Sequence, residues 1–409
     1  MRLVSGQIVD VGLRAGRVEM IGAPGTLAAA ANRLDLSGYL LLPAPAEPHA
    51  HFDTALTAER VPNPTGDLAG AIDAWLSYQG SVPRDDFVAR ATEAALLGLA
   101  NGATAIRTHV GIYEPVGLTA VEALLEVRER LRDLVDLQLV ALTVELTGPE
   151  CADLRAMLRA AMELGTDVVG GCPHLDPRPI VYHDLTLSLA AEFGRPIDLH
   201  TDETLDPAVL NLPHFAALVA STRFSYGATA SHCVSLGVQP SERAAEVAAQ
   251  VAAARVAVVC NPQTNLFLQA RGQGSAPVRG LTALRALLDA GATVAAGGDN
   301  LRDPFNPVGR VDPLETASLL VAAGHLTPEE AYAAVSNGAR AAMGLPEVQV
   351  APGFPAEFLA VQASSLGEAI AGGTGRVVIH RGRMVSRTTI TREFPDARVA
   401  TLAAQRSLP

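Results

Sequence analysis

The most telling absence in this 409-residue chain is lysine: all 31 basic residues are arginine. Without an ε-ammonium there is no Schiff-base nucleophile, no pyridoxal-phosphate anchor and no phosphate-loop lysine. A dinuclear metal site bridged by a modified lysine is excluded on the same ground. Hydrolytic chemistry must fall to His, Asp, Glu, Cys or Ser. Cysteine is scarce as well. Cys151, Cys172, Cys233 and Cys260 are scattered, with no Cys-x-x-Cys pair, which argues against a disulfide framework, a zinc ribbon and a thioredoxin-type site. Net charge is −12 and no basic block occurs, so neither a nucleic-acid groove nor binding to an anionic membrane is expected. No apolar run reaches the ~18 residues of a membrane span. Residues 1–6 lack the apolar stretch of a signal peptide, and a cytoplasmic location is the expectation.

What is present is a chain rich enough in apolar residues to fill a large core: 49% hydrophobic against 18% charged. Its length exceeds the ~250–300 residues at which one core stops growing, so one large domain and a smaller one are expected. The middle alternates short apolar runs with Ala/Leu-rich stretches. Strands are expected at 44–51, 104–110, 136–143, 167–172, 196–200, 227–232, 256–260 and 293–299. Helical stretches follow them, among others at 84–101, 117–132, 150–164, 184–194, 240–254, 279–290 and 327–343. Eight βα units predict a (β/α)8 TIM barrel over residues 46–345. Both ends read as short β-prone segments (3–10, 17–22, 357–361, 376–380 and 383–385). Together, residues 1–45 and 346–409 predict a small β-sandwich built from both termini. A doubly wound sheet is the rival, but no Gly-x-Gly-x-x-Gly follows the first strand, and Gly372-Gly373-Thr374-Gly375 reads as a late turn.

The polar residues of the barrel gather at strand ends. His49 and His51 close the first strand and alternate, so both imidazoles share a face. His200 ends the fifth, His232 the sixth and Asp299 the eighth. In a barrel these ends converge on one mouth, where four histidines and an aspartate read as a metal site. Glu203, three residues after His200, is placed to shuttle protons. Asp53 could orient the histidine pair. His109 ends the second strand and reads either as pocket lining or as a residue that packs behind the metal-site histidines, as does His174 with less support. His183, His214, His325 and His380 lie off the strand ends and read as structural. Cys233, beside His232, reads as buried. Arg271, Arg279 and Arg302 could meet an anionic substrate group.

The pattern resembles the amidohydrolase superfamily, in particular its cytosine deaminase branch. The stretches that carry the resemblance are Pro48-His49-Ala50-His51-Phe52-Asp53, Arg107-Thr108-His109-Val110, Asp198-Leu199-His200-Thr201-Asp202-Glu203, Ala230-Ser231-His232, Asn261-Pro262-Gln263-Thr264-Asn265 and Gly298-Asp299-Asn300. The resemblance implies one divalent ion, Zn2+ or Fe2+, on His49, His51, His200 and Asp299. It also implies Glu203 as proton shuttle and His232 as the residue that holds the attacking water. Hydroxide supplied by the ion would release ammonia from an amino-substituted N-heterocycle. Substrate contacts are expected from Val144, Asn300, His109 and Phe305.

Two departures stand out. Val144 occupies the place of a glutamine that reads the pyrimidine amide edge, with Thr143 or Glu145 as substitutes if the register slips by one. Asn300 replaces a common aspartate. The expected substrate is therefore cytosine-like but not cytosine itself. Ring opening of a cyclic amide or imide, and triazine-type release of an alkylamine, are the alternatives. A non-catalytic scaffold is a third reading, which the filled ligand positions oppose. Homo-oligomers are frequent in the family, and one is an expectation here.

Overall fold

The computed structural model describes residues 1–27, 32–391 and 393. The chain enters through a hairpin, β1 (Asp10–Arg14) and β2 (Arg17–Gly22), which turns at Ala15-Gly16. Both turn residues have positive φ, the geometry that matches the twist of paired strands. The first strand thus begins at Asp10. Residues 3–10, expected to be extended, instead turn at Gly6 (φ +85°), with an isolated bridge between Arg2 and Ile8 and hydrogen bonds from Leu3 N to Gln7 O and from Val9 N to Met1 O.

After β3 (Leu40–Pro43) the chain enters the eight-stranded parallel sheet: β4 (Ala46–Ala50), β5 (Ala105–Gly111), β6 (Asp136–Leu142), β7 (Val168–Gly171), β8 (Ile197–Thr201), β9 (Ala228–His232), β10 (Val256–Cys260) and β11 (Val294–Ala296). Each pairs with its sequence neighbour. Ala50 and Asp299 bridge the first and last, so the sheet closes as a TIM barrel. Glu47 braces that closure. Its carboxylate accepts from the backbone of His49 at 3.1 Å and of Gly298 at 2.9 Å. The Gly297-Gly298 pair is required there, because a Cβ on Gly297 would lie 2.3 Å from the Glu47 carboxylate. Inside the barrel, Arg107 on β5 and Asp198 on β8 form a fully buried ion pair at 2.8 Å. Burial pushes Asp198 upward, and the guanidinium opposes that shift.

The helices follow local rules. Arg84–Asn101 starts after Pro83, carries Asp85 and Asp86 in its first turn, and ends at left-handed Gly102. Its Phe87, Ala91, Ala94, Ala95 and Leu99 are buried at three- and four-residue spacing. The stretch expected at 327–343 is two helices, Pro328–Val335 and Asn337–Ala342, broken where Ser336 leaves helical dihedrals. Of 279–290 only Leu284–Asp289 is helical, since Gly280 turns with positive φ.

The last three strands are β12 (Phe358–Val361), β13 (Arg376–His380) and β14 (Arg383–Thr388). They join β3 in a four-stranded antiparallel sheet, order β14-β13-β12-β3. Alternation divides its two faces. Leu41, Phe358, Ala360, Val377 and Ile379 pack with Val18 of the hairpin and with Leu36. Leu40, Leu42, Leu359, Val361 and Val378 pack on the barrel's own core. The expected end segments at 17–22, 357–361, 376–380 and 383–385 all coincide with strands. The final stretch of the expected C-terminal unit, 394–409, lies outside the described residues. Among the described residues no helix is long and apolar enough to cross a membrane, and the four cysteines are free and buried.

Candidate metal centre and cavity

The barrel mouth gathers the strand-end residues around one point. His49 Nε2 lies 3.2 Å from His200 Nε2, and His51 Nε2 lies 3.1 Å from the same atom. Asp299 Oδ1 is 3.6 Å from His49 Nε2 and 3.4 Å from His51 Nε2. Two ligand bonds of about 2.0–2.1 Å at a tetrahedral angle set donor atoms about 3.3–3.4 Å apart, so these separations are compatible with a shared cation. Donor atoms of His49, His109 and His200, and of His49, His232 and Asp299, also group closely enough to hold one. Both Asp299 oxygens are buried without a hydrogen-bond partner among the described residues. A buried bare carboxylate costs several kcal/mol. Burial, and then the charges of Glu203, Asp303 and Glu47, drive its pKa far above the ordinary carboxylate value. A cation would reverse that shift. Burial also keeps the imidazoles of His49, His200 and His232 well below their usual range and takes His51 to about 3. Neutral rings are the form that ligates. The donor set, three imidazoles and a carboxylate, fits one divalent ion.

Backbone strain marks the same place. His232 and Asp299 are non-glycine residues with φ of +70° and +65°, a conformation that persists where surroundings over-determine it. Glu203 stands beside the cluster, 3.3 Å from His232 Nδ1. Burial pushes its carboxyl up to about 8, opposed by a hydrogen bond from Asn265. On the other edge of His232, Asn261 Nδ2 lies 3.3 Å from Nε2.

The cluster opens into a cavity at the barrel mouth. One wall is polar: His51, His200, Glu203, His232, Asp299 and Asn300. Other lining residues are apolar or aromatic, with Leu68, Ile72 and Trp75 from the helix Leu68–Gln79, and with Val144, Leu268 and Phe305. A sequence profile of the Amidohydrolase family matches residues 79–386.

The chain belongs to the amidohydrolase family.

It is therefore a hydrolase acting on carbon–nitrogen bonds. The chain is 33% identical over 398 residues to a pterin deaminase from Rhizobium rhizogenes (strain K84 / ATCC BAA-868), which covers 95% of this chain and 89% of that protein. Among solved structures, 5-methylcytosine deaminase from Klebsiella pneumoniae liganded with phosphonocytosine superposes with a TM-score of 0.87 at 27% identity. That match covers 96% of this chain and 98% of the other. N-isopropylammelide isopropylaminohydrolase from Burkholderia multivorans ATCC 17616 superposes with a TM-score of 0.81 at 26% identity, covering 95% and 97%.

Within the amidohydrolase site, Val144, Asn300 and Phe305 line the cavity. The register is thereby fixed. Thr143 is buried against the Tyr182 hydroxyl at 2.8 Å and Glu145 is exposed, so neither replaces Val144 at the wall. Asn300 donates to Asp303 Oδ2 at 2.9 Å and accepts from Thr264 Oγ1 at 3.2 Å. Of the two places expected for His109, the structure shows the one behind the histidine cluster and not the one at the cavity wall. It lies behind His49, with ring centroids 4.0 Å apart, and does not line the cavity. Like Arg107, two residues earlier on β5, it points into the barrel interior, where its ring packs against His49, His51 and His200.

Asp53 lines the cavity but does not orient a histidine. It accepts from the backbone of Gly111 and Thr54. Arg271, Arg279 and Arg302 are absent from the cavity wall. Arg271 lies over the Phe267 ring, Arg279 donates to Ala323 O, and Arg302 faces Glu93. His183 meets His214, His325 meets Arg279, and His380 meets Glu357, all away from the mouth.

Sequence reasoning gave no role to three residues that the structure brings into the site, Asn261, Asn265 and Trp75, whereas His174, read with less support as pocket lining, does line the cavity. Asn261 and Asn265 flank His232 from the helix Pro262–Leu268. Their four-residue separation places them on one helical face, and that spacing was the available signal. His174 Nδ1 donates to the carbonyl of His200 at 3.0 Å, which leaves Nε2 at the cavity wall without a protein partner. Trp75 Nε1 is also buried and unpartnered. Nothing in the local sequence of Trp75 marks it.

Proposed function

We propose that this amidohydrolase deaminates a fused-ring amino-oxo heterocycle of the pterin class, releasing ammonia, with one zinc or ferrous ion on His49, His51, His200 and Asp299. The carrying observation is the combination of that donor set with Glu203 in a cavity whose other lining is largely apolar and aromatic. The 33% likeness to a pterin deaminase over 95% of the chain supports the choice of ring. Val144 supports it too. A valine is shorter than glutamine and offers no amide, so it leaves room for a second ring and no partner for a lone pyrimidine edge.

A divalent ion lowers the pKa of water from 15.7 toward about 7 and so supplies a nucleophile at neutral pH. The protein's residues do the rest. Asp299 holds the ion and takes the proton of the attacking water. His232, fixed between Asn261 and Glu203, orients that water. Glu203, protonated near neutral pH because it is buried, gives its proton to the ring nitrogen beside the amino-bearing carbon. The Glu203 carboxylate then takes the proton of the newly added hydroxyl group and passes it to the amine. The carbon–nitrogen bond breaks, ammonia leaves, and the ring carbon is left as a carbonyl. Trp75, Phe305 and Val144 pack the flat ring, while the free Nε2 of His174 and the free indole N–H of Trp75 can satisfy its polar edge.

The test is ammonia release by metal-loaded protein against pterin, cytosine, 5-methylcytosine and N-isopropylammelide, with Asp299→Ala as control. Ammonia from pterin that disappears in the control is the expected result. Isopropylamine from N-isopropylammelide, with no ammonia from pterin, would replace this reading with alkylamine release, which the 26% likeness to the Burkholderia enzyme favours. A new carboxylate without ammonia would indicate ring opening.

A further inference from the structure

Beneath the ligand cluster runs a chain of buried polar groups that the chemistry above does not use. Arg107 Nη1 donates to Asp198 Oδ2 at 2.8 Å. Ser231 Oγ donates to the other carboxylate oxygen, Oδ1, at 2.8 Å. Ser231 Oγ also lies 3.0 Å from His49 Nδ1. All four side chains are buried, with Arg107 1% exposed and the other three 0%. Arg107 is held in turn by Gln138 Oε1 at 3.0 Å.

The directions of these bonds follow from chemistry. A guanidinium can only donate, and the carboxylate paired with it can only accept. The serine hydroxyl has one hydrogen, and Asp198 takes it. Toward His49 the serine oxygen can therefore only accept. The ring hydrogen of His49 must sit on Nδ1, and Nε2 is left with a bare lone pair pointing at His51, His200 and Asp299.

We infer that Arg107, Asp198 and Ser231 are positioning residues that fix the tautomer of His49 in its metal-ligating form. This rests on the reading of His49 as a ligand, and it adds a cause for that residue's competence. The arrangement accounts for an ion pair in the middle of the barrel, where an apolar filling of equal volume would be at least as stable. It also explains why three strands, β5, β8 and β9, each spend an inward position on it.

The relay predicts an unequal pair of variants. Ser231→Ala removes the acceptor but leaves His49 free to choose its tautomer. Asp198→Asn is more harmful. Its carboxamide oxygen stays with Arg107 and its amide donates to Ser231, so the serine hydroxyl turns and donates to His49 Nδ1. The hydrogen then moves to Nε2, where it blocks the ligand lone pair.

The experiment measures Zn2+ affinity by competition with a chelator, on protein whose fold is checked by circular dichroism. Ser231→Ala should weaken binding by about 10–100-fold, the usual effect of losing such a partner. Asp198→Asn should weaken it further. The double variant should return to the level of Ser231→Ala, because without the hydroxyl the inversion cannot occur. A merely structural role would make the double variant the worst of the three. Asp198→Asn leaves a buried guanidinium without its counter-charge, so if that variant fails to fold, Ser231→Ala decides alone. Parent-like affinity in Ser231→Ala overturns the relay. His49→Ala separates the two readings: if it binds Zn2+ as the parent does, His49 is not a ligand. If it loses binding while Ser231→Ala does not, only the relay fails.

Discussion

The carboxamide of Asn265 donates to Glu203 Oε1 at 3.0 Å, spanning from the helix after β10 to the loop after β8. It is the one hydrogen bond that pulls the Glu203 carboxyl down against a burial that pushes it to about 8. Two residues distant in sequence thus set the protonation of a single group. As an acid Glu203 works protonated, so turnover should fall on the alkaline side as Glu203 loses its proton, and a bound cation sets that limb below the value of the ion-free protein. Asn265→Ala removes the opposing bond and should carry that alkaline limb to higher pH. A pH profile of kcat/KM checks both statements. An alkaline limb that stays in place in the variant would dissociate Glu203 from it.

Glu203→Gln should keep the ion and lose about 10²–10⁴-fold in turnover, the range for removing a positioned proton donor. Its stability should move the other way. The folded carboxyl titrates near 8 and the unfolded one near 4.5. Between those values the folded state binds more protons, so stability falls as pH climbs, and the whole penalty is present above 8. Glutamine has no such penalty. Denaturant unfolding of metal-free protein should show the variant more stable by about 1–3 kcal/mol at pH 8.5. At pH 4 parent and variant should converge.

Metal removal should loosen the protein measurably. Free ion at about 1,000 times its dissociation constant stabilises the folded state by about 4 kcal/mol, and stripping it with a chelator should lower Tm accordingly. Asp299→Asn offers the matched control. With its bare carboxylate gone, the apo variant should melt above the apo parent. Added Zn2+ should then do little. Thermal scans with and without ion supply the four values.

Val144→Gln should convert the apolar wall to one that reads an amide edge. The expected result is at least a tenfold gain in kcat/KM for cytosine or 5-methylcytosine, with loss on pterin, because the longer side chain fills the space of a second ring. Equal effects on one-ring and two-ring substrates would place Val144 outside the specificity determinants.

Much of this was visible in the residues themselves. Most of the eight barrel strands hold short apolar stretches, such as Val256–Cys260 and Val168–Gly171, and all eight overlap the segments expected from the sequence. A strand end followed by His or Asp is also a local pattern, so His49, His51, His200, His232 and Asp299 could be picked out before their convergence was known. What escaped depends on the third dimension. His109 sits at a strand end like the others, but packing places it behind His49 and not at the cavity wall, and no residue nearby in sequence decides between the two. Trp75 reaches the cavity only because Leu68–Gln79 lies across the mouth. Ser231 is an ordinary strand serine until Asp198 and His49 are brought to either side of it. The break at Ser336 and the turn at Gly6 reflect local dihedral choices that composition averages away.

The bridge between Ala50 and Asp299 has a further meaning in polymer terms. It joins the first barrel strand to the last, so it closes the largest loop in the barrel, and the entropic cost of such a loop grows with its length. Two of the proposed ligands, His49 and His51, stand on one side of that joint and Asp299 stands on the other. A cation held by all three is a cross-link between the chain's two most distant barrel strands. Its binding energy and the energy of ring closure are then one quantity, and the site that performs the chemistry is also the clasp of the barrel.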